Sequence, residues 1–145
     1  AIDLMPTWLG KRSNMVDGID ELMFVKDINS VLAKDQNNDW YCVISSSESV
    51  EEYEIRDNQY KGKGKSAIMK LPVHIEANQS KIVRFYIAGS YKSKEEVISE
   101  LDEIKSNSMS LLKRKVGRIN QIDKQSRLTT SDPKIYEVYR CLKYN

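Results

Sequence analysis

Histidine occurs once in the 145 residues, cysteine twice and proline three times, and each scarcity removes a class of chemistry. A Ser-His-Asp or Cys-His arrangement would have to use His74, which sits in a strand-like run with no nucleophile marked as its partner. Cys42 and Cys141 are far apart in the chain, form no CxxC and have one histidine between them. Neither a zinc site nor a disulfide framework is expected, and both cysteines read as reduced core thiols. No apolar run approaches the roughly 18 residues of a membrane span. The start of the chain, AIDLMPTWLGKRS, lacks the basic opening and apolar stretch of a signal peptide. These absences predict an intracellular, cytoplasmic protein with no membrane partner, no cofactor, no metal and no catalytic residue.

What is present fits an ordinary globular chain. Hydrophobic residues make up 40% and charged residues 30%, too apolar for disorder and of a length that suits one core, so a single domain over 1–145 is expected. The net charge of +2 conceals an asymmetry. Residues 1–60 carry 5 Lys+Arg against 12 Asp+Glu, a balance of −7, and residues 61–145 carry 18 against 9, a balance of +9. Such a division suits either a basic surface for a polyanion or acidic and basic faces that join two copies.

The spacing of Ile19, Leu22, Met23, Ile28, Val31 and Leu32 predicts an N-terminal helix over IDELMFVKDINSVLAKD. WYCVIS, Trp40 to Ser45, and YEIR, Tyr53 to Arg56, read as strands that pair as a hairpin across the acidic SSSESVEE. SAIMKLPVHI, Ser66 to Ile75, and KIVRFYIA, Lys81 to Ala88, read as two further strands, with Pro72 at a sheet edge or bulge because it has no amide hydrogen. Ser93 with Glu96 is a capping-box pattern. From there Val97, Leu101, Ile104, Ser108, Leu112, Val116 and Ile119 recur at helical spacing for about seven turns, with a break expected near SNSMS or Gly117. Ser131 or Asp132 followed by Pro133 opens a C-terminal helix, although Ile135, Tyr136, Val138 and Tyr139 would also fit a strand. The predicted fold is α+β: an antiparallel sheet of about four strands covered by a long amphipathic helix, with N- and C-terminal helices.

KGKGKSAIMK, Lys61 to Lys70, contains the Gly-Lys-Ser of a phosphate loop, but the first glycine of that motif falls at Gln59 and a strand follows where a helix is required. The stretch is better read as a basic loop in which Lys61, Lys63 and Lys65 alternate with glycines. A second basic cluster, Lys113, Arg114, Lys115 and Arg118, stands at the end of the long helix, more cations than a helix dipole needs. Tyr86, Tyr91, Tyr136, Tyr139 and Tyr144 share this basic region and are candidate stacking surfaces for bases.

The run KIVRFYIAGSYKSKEEVISEL, Lys81 to Leu101, resembles the last strand and helix start of AP2-like and integrase arm-type DNA-binding domains, where a strand, a glycine, an aromatic and a Thr/Ser-x-E-E start recur. That resemblance implies contact with DNA. From the two basic clusters the expected function is a small non-enzymatic nucleic-acid-binding or regulatory protein, with Lys61, Lys63, Lys65, Lys113, Arg114, Lys115 and Arg118 on phosphates. The alternative is a protein-protein interaction module or homo-oligomeric adaptor, such as a homodimer, that uses the long helix and the two charge halves. A surplus of exposed apolar stripe would favour that alternative.

Overall fold

The computed structural model describes residues 2, 4, 16, 18–57 and 64–144, which fall into two compact units, Ala1–Lys105 and Ser106–Asn145. In the first unit β1 (Asp20–Val25), β2 (Ser30–Asp35), β3 (Tyr41–Ser46) and β6 (Phe85–Ser90) form one antiparallel sheet in that order, and β4 (Glu52–Asp57) pairs with β5 (Lys65–Lys70) in a second. The helix α1 (Lys94–Gln125) follows β6 and contributes residues to both units, and α2 (Pro133–Tyr144) belongs to the second unit.

The expected N-terminal helix is absent. Its residues form the β1–β2 hairpin, joined by a 3-10 turn over Lys26–Ile28. Asn29 ends that turn with φ 51, a left-handed conformation that asparagine tolerates well. Its side chain then ties the turn to the chain beyond β3: Nδ2 donates to the Glu48 carbonyl at 2.9 Å, and Oδ1 accepts from Val50 N–H at 2.8 Å. A continuous helix here would forfeit the cross-strand ladder from Asp20↔Asp35 to Val25↔Ser30.

One face of the four-stranded sheet carries the core. Met23↔Leu32, Leu32↔Val43 and Val43↔Ala88 are in register, and the buried Leu32, Val43 and Ala88 pack with Val97 and Leu101 from the first turns of α1. Ile98, Ile104, Tyr41 and Tyr86 border this cluster. Alternate residues turn the other way, giving the row Phe24↔Val31, Val31↔Ile44 and Ile44↔Ile87. Phe24 stacks on Tyr53 of β4 with ring centroids 4.4 Å apart. At the far end of the row Ile87 is 62% exposed.

The strand pairing corrects the sequence expectation. β3 pairs with β2 and β6, and β4 pairs with β5, so the predicted Trp40–Ser45/Tyr53–Arg56 hairpin does not form. Charge is compatible with the choice. Glu52 stands opposite Lys70 and Asp57 opposite Lys65, and both pairs are bridged, the second at 3.4 Å. Opposite charges at both ends of a ladder favour this register. β5 stops at Lys70, two residues before Pro72, and regular strand resumes only at Phe85 after a turn closed by Gln79 N–H to the Glu76 carbonyl at 3.1 Å.

The helix signals are realised. Ser93 Oγ accepts from Glu96 N–H at 3.1 Å, and the Glu96 carboxylate accepts from Ser90 Oγ and from Lys92 Nζ at 2.9 Å. Ser90 and then Lys92 hold that carboxylate below its ordinary pKa. α1 runs its 32 residues without a break at SNSMS or Gly117. Asp132 caps α2, its Oδ1 accepting from Lys134 N–H at 2.8 Å.

Candidate functional site

The division into units keeps the sign of the charge asymmetry with a smaller difference between the parts. The first unit holds 14 Lys+Arg against 18 Asp+Glu, a balance of −4, and the second holds 9 against 3, a balance of +6 in 40 residues. The predicted basic site is divided by the same boundary. Lys65 is the first residue of β5, engaged with Asp57 and bridged through its backbone to Ile2, and so is committed within the first unit. Lys61 and Lys63 lie outside the described residues. Lys113, Arg114, Lys115 and Arg118 lie on α1 in the second unit, all exposed.

Those four cations do not share one face. At about 100° per residue, Arg114 and Arg118 lie side by side, Lys113 falls on one flank, and Lys115 points roughly opposite Lys113. Together with Lys124 and Arg127 they form no ion pair among the described residues.

Between the basic flanks α1 presents apolar side chains to solvent. Met109, Leu112 and Val116 are exposed, Leu112 by 53%. On α2 the same is true of Ile135, Val138 and Leu142, which recur at helical spacing. The apolar side of α2 is therefore open, while its polar and aromatic side docks on the end of α1. Tyr139 O–H donates to Ser126 Oγ at 2.9 Å, Lys143 Nζ lies 3.1 Å from Asp123 Oδ1 and also donates to the Ser126 carbonyl, and Tyr144 O–H donates to Asp123. The Tyr144 hydroxyl, and after it the Lys143 ammonium, lower the Asp123 pKa, and the same bond to Asp123 raises that of Tyr144.

Beside this junction is an open groove of about 630 Å³, lined in part by Arg127, Tyr136, Arg140 and Tyr144. Arg140 lies 6.0 Å from the Tyr136 ring centre and 5.8 Å from that of Tyr144. Two of the tyrosines proposed for base stacking, Tyr139 and Tyr144, thus already make intramolecular bonds, and Tyr86 borders the core. Sequence reasoning did not single out Arg140 or Lys143. Their spacing from Tyr136, Tyr139 and Tyr144 at i and i+4 was the available signal.

The remaining chemistry is sparse. His74 is exposed, 3.7 Å from Glu76. Cys42 is half-buried, and burial followed by the nearby Asp20 pushes its thiol pKa up, which favours the unreactive protonated form. Cys141 is exposed on α2, contrary to its reading as a core thiol. Among the described residues no group of three or more His, Cys, Asp or Glu side chains could hold a metal, and no helix is long and apolar enough to cross a membrane. Compared with protein-family models, curated proteins and solved structures, the chain matches none.

Proposed function

We propose that the chain is a non-enzymatic protein-interaction module that works in an intracellular, cytoplasmic setting and binds through the apolar helix faces of its second unit. The observation that carries this reading is the exposure of Met109, Leu112 and Val116 at the spacing of a packing face. Helices in proteins draw most of their stability from burying such a face, and a contiguous apolar patch rimmed by polar residues marks an interaction site. α2 supports the same reading, because its polar side is engaged on α1 and its apolar side is open. The test is binding of labelled amphipathic helical peptides with acidic, neutral or basic flanks, read by fluorescence anisotropy, together with sedimentation equilibrium of the protein alone. The reading expects a peptide complex or a self-complex that the double substitution Leu112→Gln/Val116→Gln abolishes. Absence of both would end it.

A second reading, a nucleic-acid-binding or regulatory protein, is favoured by the exposed cations Lys113, Arg114, Lys115, Arg118, Lys124 and Arg127, which lack ion-pair partners among the described residues. Labelled single- and double-stranded DNA and RNA would then bind at low salt. Changing Lys113, Arg114 and Lys115 to Gln would reduce the salt slope by roughly one unit per lost phosphate contact. No binding at low salt would remove this reading.

A further inference from the structure

We infer that the face of α1 built from Met109, Leu112, Val116 and Ile119 seats a helix from another protein whose apolar seam is flanked by carboxylates. The inference rests on the interaction reading and specifies the occupant. The four side chains are spaced three, four and three residues apart, the a/d pattern of a coiled-coil seam. Met109, Leu112 and Val116 are exposed, and Ile119 is half-buried. In that register Lys113 and Lys115 occupy the e and g positions on either side of the seam, where charge selects the partner. Both are exposed and without an ion pair among the described residues. From Met109 to Ile119 the chain has no acid of its own along this face, and the carboxylate that follows the seam, Asp123, is already bonded to Lys143 and Tyr144.

Charge also argues against a second copy as the occupant. In an antiparallel pair Lys113 and Lys115 would meet the e and g residues of the same basic seam. In a parallel pair Lys115 would face Asn120 and Lys113 would face Ser108. Neither arrangement supplies a carboxylate to the two lysines, and the +6 balance of the second unit adds long-range repulsion. A helix with Glu or Asp at e and g supplies both the apolar seam and the missing charge. The contact covers about three turns, roughly 15 Å of helix axis.

The experiment uses the full chain and two labelled peptides of about three heptads, both with Leu at a and d, one with Glu and the other with Lys at every e and g position. The Glu-flanked peptide is expected to bind about tenfold or more tightly than the Lys-flanked one at low salt, with the gap narrowing as salt rises. Lys113→Glu/Lys115→Glu should reverse the preference. Leu112→Gln/Val116→Gln should abolish binding of both peptides while the circular dichroism spectrum and melting curve stay unchanged, since the replaced side chains are solvent-exposed. Equal affinity for the two peptides would overturn the acidic-flank assignment and leave the interaction reading standing. A self-complex lost in the Leu112→Gln/Val116→Gln variant, with neither peptide bound, would make a second copy the occupant and overturn this inference alone. If neither peptide binds and the protein does not self-associate, the inference and the interaction reading fall together, and nucleic-acid binding in the same samples would then point to the polyanion reading.

Discussion

Lys143 Nζ lies 3.1 Å from Asp123 Oδ1 with 8% of the Lys143 side chain exposed, whereas Lys113, Arg114, Lys115 and Arg118 on α1 are open to solvent. The same ammonium donates to the Ser126 carbonyl just past the end of α1 and lies 5.5 Å from the Tyr139 ring centre. One cation thereby satisfies a helix-end carbonyl, a carboxylate and an aromatic face, which is how α2 is held to its unit. Lys143→Met keeps an apolar stem and removes the charge. We expect α2 to loosen, seen as faster tryptic cleavage after Arg127 and Lys134. Lys113→Met, on the open flank of α1, should leave those cleavage rates unchanged.

The same junction should depend on pH at both ends. Asp123 has its folded-state pKa lowered, chiefly by the Tyr144 hydroxyl and then by Lys143, so its stabilising contribution is present above its unfolded pKa and is lost as pH falls through the folded value. Tyr144 has its pKa raised by the bond to Asp123. Its contribution is present below the unfolded tyrosine pKa and is lost as pH rises through the folded one. Tyrosine fluorescence and helical dichroism should therefore show α2 docked through the neutral range and released at both extremes. Tyr144→Phe should weaken both transitions, and a flat profile in the native protein would contradict the assignment.

Core and exposed positions on α1 should respond differently to the same truncation. Leu101 is 0% exposed and packs with Val43 and Ala88, so Leu101→Ala should cost about 2–5 kcal/mol by the lost transfer free energy and the cavity it leaves. Leu112→Ala, on the exposed stretch, should change stability by less than about 0.5 kcal/mol. Urea unfolding of the two variants measures both.

Gly18 has a steric requirement. A Cβ built there would stand 2.7 Å from both Asn37 N and Asp35 Oδ1. The buried Asp35 carboxylate accepts from Gly18 N–H at 2.9 Å and from the Asn37 and Asn38 amides at 2.8 Å each. Gly18→Ala should push this loop apart and lower stability by about 1–3 kcal/mol, the usual range for overpacking. An unchanged urea midpoint would show that the loop relaxes freely.

Signals confined to neighbouring residues were legible in the sequence. Ser93 and Glu96 at the start of α1, Asp132 and Pro133 at the start of α2, and the β-branched run of β3 each act through bonds or sterics within a few positions, and each appears where the pattern puts it. The segment 19–35 misled because its apolar residues fit a helical period as well as two short strands, and the decision came from cross-strand partners such as Val43 and from the Asn29 bonds to Glu48 and Val50.

The sequence by itself determined the α+β class, the two helices with their caps and the concentration of positive charge toward the C-terminal end, because composition, periodicity and capping are local properties. Tertiary structure alone decided that β4 leaves β3 for β5, a pairing in which Glu52 and Asp57 stand opposite Lys70 and Lys65. It also decided what the long stripe of α1 does. Val97 and Leu101 meet Val43 and Ala88 and are buried, while Leu112 and Val116, written in the same periodic pattern, remain exposed. Periodicity specifies which side of a helix is apolar; whether that side is covered depends on residues distant in the chain.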